Sequence, residues 1–306
     1  RDAAIVLASM HGAVTLLGSA TPSVETYYKA KNGRFGLVEL LERYEGIAMP
    51  KVSVVDMREQ RKKKECKGLY SRPLLDASRQ ALQDGRQVIM FQNRRGYAPV
   101  VECGECAWVP KCVNCDVSMV YHRHIGELRC HYCGHTITLP SLCPVCGLDK
   151  IGIHGYGTER IADDLHEIFD GYRVSRMDLD TTRNKDSYEE IIEEFSRHET
   201  DILVGTQMVS KGLDFAGVRV VGVLNADTML NFPDFRAYER SFQLMAQVAG
   251  RAGRRDNRGL VVLQTRNVDL PVIQQVTTND YAALYAEQAV EREYFRYPPF
   301  SRLIYV

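Results

Sequence analysis

The 306-residue sequence has no excess of either charge. Its 39 Lys and Arg balance 39 Asp and Glu. On composition alone that argues against a nucleic-acid binder. No run of about 18 apolar residues occurs, which excludes a spanning helix. The opening residues, Arg1 to Ala4, do not resemble a signal peptide. There is no GxxxxGK[ST] string, and no Asp-Glu-x-His follows a strand ahead of Gly18. The lysine that would hold β- and γ-phosphates is therefore missing, as is the acid that would hold Mg²⁺. Hydrophobic content of 45% excludes bulk disorder and a coiled-coil rod.

What is present is cysteine, and it is clustered. Of nine cysteines, eight lie between Cys103 and Cys146, and Cys66 stands alone. A disulfide scaffold would spread them along a short secreted chain. Here they form four pairs: Cys103-x2-Cys106, Cys112-x2-Cys115, Cys130-x2-Cys133 and Cys143-x2-Cys146. Each pair presents two thiolates to one point, and two pairs close a tetrahedral Zn(Cys)4 site with no open position. The second and third pairs are separated by 14 residues, close to zinc-ribbon spacing. The expectation is a nested arrangement. Cys112, Cys115, Cys130 and Cys133 make one site, and Cys103, Cys106, Cys143 and Cys146 the other. Gly104, Gly134 and Gly147 beside the turns supply backbone freedom. His122, His124, His131 and His135 are read as surface groups or neighbours of the thiolates, since eight thiolates already fill two tetrahedra.

Around this block the pattern is α/β. Residues 5–8 and 13–19 read as a short helix and a buried strand, and Ser23 caps a helix over 24–31. Residues 49–57 alternate as a strand. The run 58–67 carries six positive and two negative side chains, about +4. It reads as a solvated linker, with a phosphate-contacting strip as the alternative. Helices are expected over 73–84, 158–169, 187–195, 238–249 and 279–295. Strands are expected over 87–91, 172–177, 201–205, 218–224, 259–265 and 303–306. Alternation of this kind implies a parallel sheet with right-handed crossovers, and the cysteine block is an insertion in it.

Four strings carry nucleotide chemistry. Gly18-Ser19-Ala20-Thr21-Pro22-Ser23 places small hydroxyls at a strand end. Gln92-Asn93-Arg94-Arg95-Gly96-Tyr97 places two guanidiniums after a strand, suited to backbone phosphates. The string from Gly205 to Phe215 (GTQMVSKGLDF) joins hydroxyls, a Lys, a Gly and an Asp in one turn. Gln247 to Arg254 (QVAGRAGR) sets two arginines three apart at a helix end, the geometry of an arginine finger.

GSATPS, GTQMVSKGLDF and QVAGRAGR, in this order, resemble motifs III, V and VI of superfamily 2 helicases. NRRGYAP, the four cysteine pairs and GYGTER together resemble one family within it, the PriA replication-restart helicases. The resemblance covers essentially the whole chain. It implies an ATP-driven 3′-to-5′ DNA helicase that restarts stalled forks, assembles the primosome and reloads the replicative helicase. It also implies the same nested zinc pairing. Carried over, Arg254 would be the finger, with Arg251 and Gln247 beside it. Gly212 and Asp214 would lie near the ATP ribose. Thr206, Ser210, Arg94 and Arg95 would face the DNA backbone, and Ser19 and Thr21 would couple two lobes.

The expected fold is a RecA-like lobe 2 with a two-zinc insertion and the tail of lobe 1. Residues 1–67 would be that tail and a linker, and 68–100 the start of lobe 2. The zinc insertion would cover 101–150, the rest of lobe 2 would cover 151–278, and a truncated further domain 279–306. Expected cofactors are two Zn²⁺, with ATP and Mg²⁺ in an intact protein. Expected partners are forked or single-stranded DNA without sequence preference, primosome proteins and single-strand-binding proteins. A monomeric, cytoplasmic, nucleoid-associated bacterial protein is expected, and a chain without Walker A and B should not hydrolyse ATP. Two zinc ions on eight thiolates would leave the folded chain at about −4. The competing readings are a non-catalytic zinc module that binds DNA or protein, and another superfamily 2 motor with an unrelated insertion.

Overall fold

The computed structural model describes residues 2–40, 49–92, 101–122, 126–153, 158–178, 181–182, 185–207, 215–253 and 258–304. They fall into two compact units, Arg1–Leu40 with Tyr285–Val306, and Leu41–Leu284.

In the first unit, α1 (Asp2–Met10) is followed by α2 (Val24–Lys31). Ser23 caps α2, its Oγ accepting from the Thr26 N–H at 3.3 Å. The strand expected over 13–19 does not form. Val14 and Leu16 are 97% and 95% exposed, and no described strand pairs with them. A buried strand needs neighbours for its backbone groups.

The second unit is built on a six-stranded parallel sheet. In chain order its elements begin with β1 (Lys51–Asp56), α3 (Met57–Lys62), β2 (Cys66–Lys67), β3 (Tyr70–Ser71), α4 (Arg72–Gln83) and β4 (Gln87–Phe91). The cysteine block holds β5 (Val101–Cys103), β6 (Val120–His122), β7 (Glu127–Arg129), β8 (Thr136–Thr138) and β9 (Ile151–Ile153). Then follow α5 (Thr158–Ile168), β10 (Val174–Met177), α6 (Lys185–Ser196), β11 (Ile202–Gly205), β12 (Val218–Val223), α7 (Asp227–Leu230), α8 (Ala237–Ala249), β13 (Leu260–Thr265) and α9 (Pro271–Thr278). The last helix, α10 (Tyr281–Tyr294), begins in this unit and runs into the first. There Arg292 is buried and ion-paired to Glu25 at 3.5 Å, and Tyr27 meets Tyr285 edge-on at 4.7 Å.

The sheet order is β1-β13-β12-β4-β11-β10. β1 lies in the stretch that the sequence assigns to the tail of lobe 1 and its linker. In the structure it pairs in parallel with β13 over six residues and closes one side of the sheet. The run 58–67 is not a linker either, but α3 and the β2–β3 hairpin.

Alternation along the strands divides the core into two layers. Ile89, Phe91, Leu203, Val221, Val223, Val261 and Leu263 face α6, α8 and α9, with Phe195, Phe242 and Ile273. Val88, Met90, Ile202, Val204, Val220 and Val262 face α4 and α5, with Leu74, Ile161 and Leu165. Strands buried on both faces read as continuous apolar runs, and β4 and β11 do. No strand forms over 303–304, and 305–306 lie outside the described residues. Among the described residues no helix is long and apolar enough to cross a membrane.

Candidate metal centres and motor edges

The four cysteine turns share one backbone form. The first cysteine's carbonyl accepts from the N–H four residues on: Ala107, Asp116, Gly134 and Gly147, at 2.8–3.0 Å. The first cysteine's own N–H donates to the carbonyl five residues on: Trp108, Val117, His135 and Leu148. In every case the residue after the second cysteine has positive φ: Ala107 62°, Asp116 50°, Gly134 76° and Gly147 71°. Gly134 and Gly147 supply the freedom expected of them, whereas Gly104 is not in that conformation. Alanine and aspartate take the strained position in the first two turns.

The four Sγ atoms of Cys103, Cys106, Cys143 and Cys146 lie within 4.8 Å of one another, and so do those of Cys112, Cys115, Cys130 and Cys133. Cys103 and Cys146 are 3.6 Å apart, Cys106 and Cys143 3.5 Å, and Cys112 and Cys133 3.5 Å. Four sulfurs on one Zn²⁺ at 2.3 Å would sit about 3.8 Å apart. A disulfide would bring two of them to about 2.05 Å, and all nine cysteines are free. Each turn buries its first cysteine. The donor set therefore fits two closed zinc sites. His122 and His131 face each other instead, Nε2 to Nε2 at 3.0 Å. His124 lies outside the described residues.

At its root the block leaves and rejoins the sheet side by side, β5 pairing antiparallel with β9. The root is clamped by ions. Arg266, the residue after β13, is ion-paired to Glu102 on β5 and reaches the Cys103 carbonyl at 3.5 Å. Asp227, at the start of α7, accepts from the Arg266 N–H (2.8 Å), Thr265 Oγ1 (2.7 Å) and Asn267 Nδ2 (3.0 Å). Glu102, Asp227 and Arg266 are all buried. At the end of β10, buried Asp178 accepts from Thr158 Oγ1 at 2.5 Å, Arg176 at 3.1 Å and the Thr181 N–H at 3.0 Å. This fixes the first residue of α5.

The described residues of three motor strings lie at opposite edges of the sheet. Thr206 follows β11 at the carboxyl edge, its N–H donating to the Met177 carbonyl at 3.3 Å. Gln92 follows β4 on that same edge and donates to the Gly205 carbonyl at 3.0 Å. Phe215 lies beside the amino end of β12, its carbonyl accepting from the Val218 N–H at 3.5 Å. There the segment after α8 also arrives, with the Gly253 N–H on the Val218 carbonyl at 3.1 Å. A Cβ on Gly259 would lie 2.3 Å from the Ala252 carbonyl carbon, so only glycine lets β13 start so close to this segment. Gln247 is exposed there and Arg251 half-buried. Arg94, Arg95, Ser210, Gly212, Asp214 and Arg254 lie outside the described residues. In the other unit, Ser19 Oγ accepts from the Thr21 N–H at 3.1 Å.

Comparison with known proteins follows these features. Residues 112–137 match the "PriA DNA helicase Cys-rich region (CRR) domain", and 153–256 the "Helicase conserved C-terminal domain". Over 306 residues the chain is 42% identical to the Replication restart protein PriA of Bacillus subtilis (strain 168), covering 100% of this chain and 38% of that protein. It is 40% identical to the PriA of Chlamydia pneumoniae, covering 99% of this chain and 41% of that one. The Haemophilus influenzae PriA is 40% identical over 301 residues, 98% of this chain and 41% of that protein. The chain belongs to the PriA family. It spans about two fifths of the length of these PriA relatives. The parallel sheet flanked by helices is the RecA-like lobe of that family, with its cysteine-rich insertion.

Sequence reading did not single out Glu102, Asp227, Arg266 or Asp178, and took Thr158 only as the start of a helix within GYGTER. Each is an ordinary polar residue in the string, and only strand order makes them neighbours. Ala107 and Asp116 carried a fainter signal, since they occupy the same place after a cysteine pair as Gly134 and Gly147.

Proposed function

We propose that this chain is the second motor lobe and zinc module of an ATP-dependent 3′-to-5′ DNA helicase acting in replication restart. The observation that carries the reading is the insertion of two four-cysteine clusters into a parallel-sheet lobe whose sequence carries GTQMVSKGLDF and QVAGRAGR. Zn²⁺ would be held by Cys103, Cys106, Cys143 and Cys146, and by Cys112, Cys115, Cys130 and Cys133. These sites hold structure and leave no position for chemistry.

The two edges divide the labour. At the amino edge, Gln247 and Arg251 would meet the γ-phosphate of ATP–Mg²⁺; Arg254 is assigned the same role, and Gly212 and Asp214 the ribose. A guanidinium there stabilises charge that develops on the transferring phosphoryl group. At the carboxyl edge, Thr206 would contact the DNA backbone without reading sequence, and Ser210, Arg94 and Arg95 are assigned the same role. Ser19 and Thr21 would relay between lobes. The partners would be forked or single-stranded DNA, primosome components and single-strand-binding proteins, met by a cytoplasmic monomer.

A longer chain that restores the family's Walker A and B segments tests this. DNA-stimulated ATP hydrolysis is expected from it and not from the 306-residue chain. Arg254→Ala should abolish the turnover, and undiminished hydrolysis would overturn the finger assignment.

A further inference from the structure

The run after β1 is a cationic platform with rigid supports. Arg61, Lys62, Lys63, Lys64 and Lys67 are all exposed. Lys63 pairs with Glu59 at 3.3 Å. The other four have no ion-pair partner among the described residues. Beneath them the backbone is pinned on both sides. Asp56 caps α3, and Met57 is buried. Lys64 ends the helix in the left-handed conformation (φ 56°), while the Glu65 N–H returns to the Gln60 carbonyl at 2.8 Å. On the far side Leu69 and Tyr70 are buried. Gln264, within β13, donates to the Leu69 carbonyl and accepts from the Ser71 N–H, both at 2.8 Å. Little backbone entropy is left to lose when a ligand binds such a segment.

Location and surroundings say what the ligand is. α3 springs from the carboxyl end of β1, so it stands on the edge that carries Thr206 and the root of the cysteine block. From β1 to β11 is four inter-strand steps, about 19 Å. No large apolar side chain is exposed between Met57 and Gly68. Charge without apolar anchors suits a phosphate backbone rather than a peptide, whose recognition needs side-chain pockets.

We propose that Arg61, Lys62, Lys64 and Lys67 form a phosphate-backbone contact that extends a nucleic-acid track along the carboxyl edge of the sheet to β1. The inference rests on the DNA reading above. It adds a contact outside the motor strings and reconciles zero net charge with binding, because the cations are concentrated on one edge.

The test uses the zinc-loaded 306-residue chain and fluorescence anisotropy, with oligo-dT and with a random-sequence duplex, from 50 to 200 mM salt. Replacing Lys62, Lys64 and Lys67 together by Gln should make the log K against log salt slope shallower by about 2 on the single strand and about 2.7 on the duplex. Zinc content and thermal midpoint should stay unchanged, which separates the effect from misfolding. The triple Lys→Arg variant should bind like the parent. An unchanged slope in the Gln variant would overturn the strip. So would displacement of the oligonucleotide by a poly-Glu peptide of matched charge at equal concentration, which would point to an acidic protein. If Thr206→Val weakens binding while the Gln variant does not, the strip alone fails. If the folded parent binds neither probe at 50 mM salt, the DNA reading fails with it.

Discussion

Arg266 and Glu102 form a buried ion pair between the end of the sheet's β13 strand and the residue preceding the first zinc-module cysteine. Asp227 on α7 sets a second carboxylate against Arg266, accepting from its N–H at 2.8 Å and lying 3.7 Å from its Nε. Breaking a buried pair leaves an uncompensated charge and costs about 3–5 kcal/mol. Arg266→Ala should therefore lower stability to urea by that order and loosen the β5–β9 root. Hydrogen exchange at residues 101–103 and 151–153 would report the loosening. Zinc stoichiometry should persist, because no cluster ligand is touched.

The left-handed residue after each cysteine pair gives a prediction of opposite signs. Ala107 at φ 62° carries a Cβ penalty that glycine would not. Ala107→Gly should stabilise the zinc-loaded protein by about 1 kcal/mol, and Gly134→Ala should destabilise it by a similar amount. Chemical denaturation of the two variants at equal zinc occupancy checks both directions.

Crowding at two glycines differs in kind. At Gly259 an added Cβ meets the backbone of Ala252 and Gly253 at 2.3–2.6 Å, and no side chain can rotate away. At Gly222 the obstacles are the ends of Leu74 and Met90 at 2.8–3.2 Å, which can shift. Gly259→Ala should cost about 1–3 kcal/mol and Gly222→Ala less. Only the former should displace Arg251, seen as loss of ATP hydrolysis in the restored longer chain.

Asp178 gives an acid limit. Burial pushes its carboxyl up, but Thr158, the Thr181 N–H and Arg176 outweigh burial and hold it below the ordinary aspartate value. That value is about 3.9. A depressed folded value stabilises the fold above about pH 4, and the gain is lost as pH falls through the folded pKa. Thermal midpoints from pH 7 to pH 2 should drop below about pH 4. Asp178→Asn should melt lower at pH 7, by about 1–3 kcal/mol, and show a flatter acid limb.

The sheet was readable because its strands are apolar on both faces and its helices amphipathic. Helices over 73–84 and 158–169 and strands over 87–91 and 218–224 fall within a residue or two of α4, α5, β4 and β12. The four-residue α7 is too short to show a period, and α9 lay in an irregular stretch opened by Pro271. Residues 13–19 had strand composition without a strand to pair with, and composition cannot reveal that. The two sets of four thiols that the structure brings together follow from nesting, which spacing exposes. The Glu102–Arg266–Asp227 clamp does not, since its members are 125 and 39 positions apart and meet only through sheet order.

Because β5 and β9 lie side by side, the cysteine block enters and leaves the sheet through one doorway. The outer cluster closes that doorway just beyond it, and the inner cluster sits wholly within the loop thus closed. The block is therefore a cassette. Its interior can lengthen, shorten or be exchanged while the two strands at its mouth still present the same ends to the sheet. Selection could reshape what the cassette touches without renegotiating the motor beneath it.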